Sequence, residues 1–187
     1  MGSALVADDR RTTFLSLPVV SRIYVAAVSV LGLAALIVSV AAFETDQLLL
    51  VAALMALTVA TSSVKIALPL GRGASNLSLA HTVNFFALLT VGGAPSVCVA
   101  ALSAAAQCTL RTNAVNPPHR VVFSVASLAL TMWLAALPLE WALGADPSSL
   151  VSLLRAVAII APLYFIANTG LVAAAVALSS HQRVAGV

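Results

Sequence analysis

Six apolar runs, separated by short polar breaks, set the pattern of this chain. They extend from about Val19 to Phe43, Leu48 to Leu68, Leu79 to Val91, Ser96 to Leu110, Val121 to Leu137 and Leu150 to Leu178. A helix needs about 20 apolar residues to cross about 30 Å of hydrocarbon, so the pattern predicts an all-α, polytopic membrane helical bundle of about six transmembrane helices. Runs three and four are short for this. Meeting at Gly92-Gly93-Ala94-Pro95, they form a buried hairpin or extend into polar turns shielded by neighbouring helices. Run six is long enough to tilt or to kink at Pro162.

Composition strengthens the membrane reading. Hydrophobic residues make up 61% of the 187 positions and charged residues 8%, with a mean hydropathy of +1.09. A soluble domain carries about a quarter charged residues, so this stock cannot cover a water-facing surface. The net charge of +3 lies in scattered residues at run ends, which argues against nucleic acid as a partner and leaves the lipid bilayer as the expected one. The first run is longer than the apolar region of a secretory signal, and Glu44 and Asp46 follow it instead of a small-residue cleavage pattern. It is expected to be a retained helix.

Charge also orients the bundle. With the N-terminus in the cytoplasm and six crossings, Arg10, Arg11, Arg22, Lys65, Arg72, Arg111, Arg120 and Arg183 fall inside. Only Arg155 falls outside, beside Glu44, Asp46, Glu140 and Asp146. This bias follows the positive-inside rule and predicts a multi-pass protein of the cell inner membrane with both termini cytoplasmic. The expected organisation is a cytoplasmic segment 1–18, a six-helix domain 19–178 and a short cytoplasmic tail 179–187 that precedes a missing or separate output domain.

With that topology, the polar side chains of five runs fall in the cytoplasmic half. They are Thr61, Ser62 and Ser63; His81 and Asn84; Ser103 and Gln107, one turn apart; Ser124 and Ser127; and Asn168 with Thr169. One reading is interhelical bonding, worth about 0.6 kcal/mol per pair. The other is an inward-opening pocket for a small ligand, built from Asn84, Ser103, Gln107 and Asn168, whose amides must have all donors and acceptors met if buried. Ala100, Ala101, Ala104 and Ala105 suit close helix approach.

Catalytic chemistry finds little support. No carboxylate lies inside a run, so a carboxylate hydrolase or proton relay lacks its central group. His81, His119 and His181 have no metal-ligand spacing with Cys, Asp or Glu, and His81 is a weak candidate base for Ser62 or Ser63. Cys98 and Cys108 share one helix about 15 Å apart, too far for a disulfide, and read as packing residues. The expectation is a protein that is not an enzyme, with no catalytic residues, metal or cofactor.

Four ordered stretches carry a family resemblance: Leu77-Ser78-Leu79 through Val83-Asn84-Phe85-Phe86-Ala87-Leu88-Leu89 and Gly92; Val99 through Ala104 with Gln107-Cys108-Thr109-Leu110-Arg111; Asn116-Pro117-Pro118-His119-Arg120-Val121-Val122-Phe123-Ser124; and Tyr164-Phe165-Ile166-Ala167-Asn168-Thr169. They resemble the multi-span sensor domains that stand before GGDEF or HD-GYP domains in bacterial cyclic di-GMP signalling. The resemblance implies a sensory module that passes a membrane or small-ligand signal to a cytoplasmic output domain or partner protein, with a homodimer favoured by analogy. The chain departs from those proteins after Ala177-Leu178-Ser179, where they continue into more helix and an enzyme. The architecture is also similar to the substrate-binding subunits of energy-coupling-factor vitamin transporters, which implies the alternative of a solute-binding subunit. Ala26-Ala27 and Ala34-Ala35 do not reproduce the docking pattern of their first helix. A membrane scaffold without a ligand is the remaining alternative.

Overall fold

A computed structural model describes Phe14 and residues 17–43, 45–62, 65–68, 75–110, 116–144 and 146–180. Residues 1–13, 15 and 16 of the expected segment 1–18 and residues 181–187 of the expected tail 179–187, with Ser63, Arg72 and Arg111, lie outside the described residues. Among those described, the fold is helical apart from one two-stranded hairpin. Helix α1 (Val19–Ala41) follows Pro18, whose fixed φ suits a helix start. A 3-10 turn at Thr45–Gln47 leads into α2 (Leu48–Ser62). Strands β1 (Lys65–Leu68) and β2 (Ser75–Ser78) pair antiparallel, with Lys65 opposite Ser78 and Leu68 opposite Ser75. Then follow α3 (Ala80–Val91), α4 (Gly93–Thr109), α5 (Pro118–Ala136), a short α6 (Leu139–Leu143) and α7 (Leu150–Ser180).

The hairpin corrects the expectation that the second run is helical to Leu68. Helix α2 stops six residues earlier. Its last turn carries Thr58, Thr61 and Ser62, and the Thr61 hydroxyl donates to the carbonyls of Leu57 and Thr58. Such hydroxyls compete with the helix for its own backbone groups, and β-branched residues prefer extended chain.

The break between α3 and α4 is tighter than Gly92-Gly93-Ala94-Pro95 suggests. It is Gly92 alone, at φ +81°, a conformation that L side chains rarely adopt. Pro95 falls in the first turn of α4, where its missing N–H leaves no bond unmade.

Helix α4 is the centre of the molecule. It packs against α1, α2, α3 and α5, while α5 also packs on α1 and α7. One face of α4 presents Val97, Ala100, Ala101 and Ala104 to a cluster with Leu88, Leu128, Met132, Ile160 and Tyr164. The opposite face presents Val99 to Val51, Leu54, Val83, Ala87 and Val91. Small residues at closely spaced positions let this many helices surround one.

Helix α1 buries the stripe Ser21, Val28, Gly32, Ala35 and Ser39. Gly32 is required there, because a Cβ at that position would overlap the carbonyl of Ala126 on α5. The outward face of α1 exposes Ile23, Val30, Leu31 and Ile37, each more than half accessible, as a lipid-facing surface does.

Three helices, Val19–Ala41, Pro118–Ala136 and Leu150–Ser179, are long and apolar enough to cross a membrane. Helices α2, α3 and α4 have 15, 12 and 17 residues and fall short of the length that six full spans require. Helix α7 runs through Pro162 without ending. Helix α6 has no counterpart among the six apolar runs. Its end is held by Arg155, whose Nε donates to the Ala142 carbonyl at 2.6 Å. That contact gives the one outward-assigned arginine a local role at a helix C-terminus, where a cation is favourable.

Candidate functional site

Helices α1, α3 and α5 begin at the same end of the bundle at which α4 and α7 finish, and a cavity of about 510 Å³ opens there. Its walls come from all five: Ser21 and Val25 of α1, His81 of α3, Gln107 and Cys108 of α4, residues from His119 to Leu128 of α5, and Asn168 to Ser179 of α7. The volume lies in the range of about 300–1,000 Å³ typical of small-molecule sites. Val25, Phe123, Leu128, Val172 and Val176 make an apolar wall facing the polar groups.

The four expected site residues separate into two on the wall and two buried off it. Gln107 and Asn168 line the cavity. Ser103 is fully buried and does not line it; its hydroxyl accepts a hydrogen bond from Gln107 Nε2 at 3.0 Å and so orients that amide. Asn84 is also fully buried, behind the wall. Its amide lies beside the Tyr164 hydroxyl, yet neither its nitrogen nor its oxygen makes a hydrogen bond of ordinary length and angle among the described residues. Thr58 and Ser62 of α2 are buried, their hydroxyls have no partner among the described residues, and they do not reach the cavity. Ser124 and Ser127 line it, the Ser127 hydroxyl donating to the Ser124 carbonyl at 3.2 Å.

Tyr164 is the group that sequence reasoning missed. Its hydroxyl lies 2.7 Å from His81 Nδ1, joining α7 to α3. Either the hydroxyl donates to an unprotonated Nδ1 or Nδ1–H donates to the hydroxyl, according to the tautomer. Phe85 packs edge-on against the same ring, with centroids 4.8 Å apart. A second link lies two turns further along, where the Tyr24 hydroxyl of α1 donates to the Leu171 carbonyl at 3.0 Å. Asn168 sits between these two ties. A signal was available in the sequence: a tyrosine in an apolar helix needs a partner for its hydroxyl, and Tyr164 stands one turn from Asn168. The sequence places His81 near the membrane interface and Cys108 among packing residues, but both line the cavity.

The electrostatics of this end are unusual. Each helix that begins here carries a basic or imidazole side chain in its first turn and no acid: Arg22 in α1, His81 in α3, His119 and Arg120 in α5. A helix N-terminus is already positive, and a like charge there is unfavourable by about 0.3–1 kcal/mol at an exposed site. None of the described lining residues is an aspartate or glutamate. Among the described residues no three His, Cys, Asp or Glu side chains gather to hold a metal ion.

No protein-family model, curated protein or solved structure matches this chain.

Proposed function

We propose that the protein is an integral membrane sensory or regulatory module, without catalytic activity of its own, that binds a small ligand in the cavity and transmits its presence through α7. The carrying observation is the place of Asn168 on the cavity wall, between the Tyr164–His81 and Tyr24–Leu171 ties that attach α7 to α3 and α1. A ligand that engages Asn168 or His81 acts on the groups that hold α7 to the bundle, and a ligand can shift a helix only by binding its two positions unequally. The output is a GGDEF or HD-GYP type domain, or a partner protein, on the cytoplasmic side. The four ordered stretches that resemble sensor domains support this reading, and each supplies cavity residues: His81, Gln107 and Cys108, His119 to Ser124, and Asn168. In this reading the chain crosses the inner membrane six times with both termini cytoplasmic, the shorter helices being shielded by their neighbours.

The test is the double variant Gln107→Leu, Asn168→Leu, compared with the unaltered protein for the thermal shift that candidate ligands produce in detergent. Loss of the ligand-dependent shift supports the pocket. An unchanged shift in the double variant removes it.

The cavity volume favours a second reading, a solute-binding subunit of a vitamin-type transporter. That reading requires co-purification with an ATPase-coupled partner and a bound solute in a native mass spectrum. A chain that emerges alone and empty counts against it.

A further inference from the structure

We propose that the cavity takes an amphiphile or small molecule bearing an oxyanionic head, a phosphoryl group above all, which sits against Ser21, His119 and Arg120. The inference rests on the reading of the cavity as a ligand site and names the chemistry of its ligand.

Two independent observations support it. The first is electrostatic. Three helix N-termini converge on this end, and every one has a cationic or imidazole side chain in its first turn where an acid is favourable. His119 and Arg120 line the cavity itself, and its described lining residues include no carboxylate. An oxyanion suits the lining members of this set, since helix starts present N–H donors and positive potential to that chemistry.

The second observation is a hydrogen-bond donor without an acceptor. Ser21, in the first turn of α1, is 1% exposed and lines the cavity, and its hydroxyl has no hydrogen-bond partner among the described residues. A buried hydroxyl is almost always bonded, so an unmet one on a cavity wall marks where a ligand atom belongs. The adjacent Arg22 also has a buried Nε with no partner among the described residues. Val25, Phe123, Val172 and Val176 provide an apolar wall for a hydrocarbon portion.

The oxyanion has two sources, the headgroup of a membrane lipid or a soluble phosphorylated compound, and Cys108 on the wall distinguishes them. In a Cys98→Ala background, the reaction of Cys108 with the uncharged reagent N-ethylmaleimide is followed in phosphatidylcholine nanodiscs. The same reaction is followed after exchange into phosphatidylglycerol, and with added inorganic phosphate or glycerol phosphate. The expected result is a reaction slower by about fivefold, the factor 1 + [L]/Kd at a concentration about four times Kd. Protection by phosphatidylglycerol alone supports a lipid source. Protection by the soluble phosphates as well supports a free oxyanion.

The variants Ser21→Ala, which leaves the charge of this end unchanged, and Arg120→Gln, which lowers it by one, both lose most of the protection. Equal protection in these variants overturns the inference. Protection by a neutral alkyl glycoside but by no oxyanion overturns it while leaving the cavity as a ligand site. If nothing slows the reaction, both readings fall. The thermal midpoint of the same samples reports on each of these outcomes independently of thiol reactivity.

Discussion

The Tyr164 hydroxyl and the His81 imidazole meet at 2.7 Å across the gap between α7 and α3. Interhelical hydrogen bonds in membrane bundles average about 0.6 kcal/mol, with a maximum of about 1.7. Tyr164→Phe keeps the ring against Phe85 and removes only the hydroxyl, so it is expected to lower stability within that range. His81→Gln tests the other side. The double variant is expected to cost less than the sum of the two, because residues that share one bond are not additive. Thermal denaturation of the four proteins in one detergent measures the coupling.

The crossing of α1 and α5 gives a contrast in sign. Gly32→Ala places a methyl on the Ala126 carbonyl and should cost about 1–3 kcal/mol, the usual range for overpacking. Gly170→Ala, on α7, meets nothing within 4 Å and should be neutral or stabilise by up to about 1 kcal/mol through the better helix propensity of alanine. Equal effects of the two substitutions in a thermal melt would mean that α1 and α5 leave room for a methyl at their crossing.

Arg155 holds the end of α6 through the Ala142 carbonyl. Arg155→Met keeps much of the side chain's length and removes the donor, with an expected loss of about 0.5–1.5 kcal/mol, discounted toward the lower figure because the side chain is exposed. The loss should appear as faster proteolysis or hydrogen exchange around Leu139–Gly144, with the cavity end unchanged. Arg155→Lys should recover only part, since a lysine cannot reproduce the directed Nε donor.

Six crossings predict opposite accessibility for the two ends. In a cysteine-free background, Asp46→Cys and Asp146→Cys should label from outside intact cells with a membrane-impermeant maleimide, and Ser75→Cys should label only after permeabilisation. Labelling of Ser75→Cys from outside would mean that α2 does not cross.

Much of the architecture is readable in the residues because lipid imposes one strong rule, that apolar runs become helices. The bounds of α1, α3, α4, α5 and α7 fall within about three residues of the apolar runs, inside the usual scatter of helix ends. The end of α2 is not readable, because Val64, Ile66 and Leu68 are as apolar as a helix end and equally suited to a strand. The site is legible in type and only partly in place. Topology alone assigns Gln107 and Asn168 to one end, whereas helix rotation decides whether a side chain reaches a cavity. Depth matters as well: Asn84, about one turn further along α3 on the same side as His81, lies behind the wall that His81 lines. Ser21 carries no sequence signal, since its meaning comes from burial without a partner.

The central position of α4 bears on how the protein is made. At 17 residues, with Ser96, Ser103 and Gln107 along it, α4 is a poor independent passenger for membrane insertion, and α3 before it is shorter still. The partner that covers much of α4, helix α5, is synthesised only after it. In the six-crossing arrangement proposed above, the α3–α4 hairpin therefore waits at the insertion machinery, or at the membrane surface, until residues beyond Pro118 emerge. The order of synthesis thus seats the middle of the molecule only after a later helix has followed it.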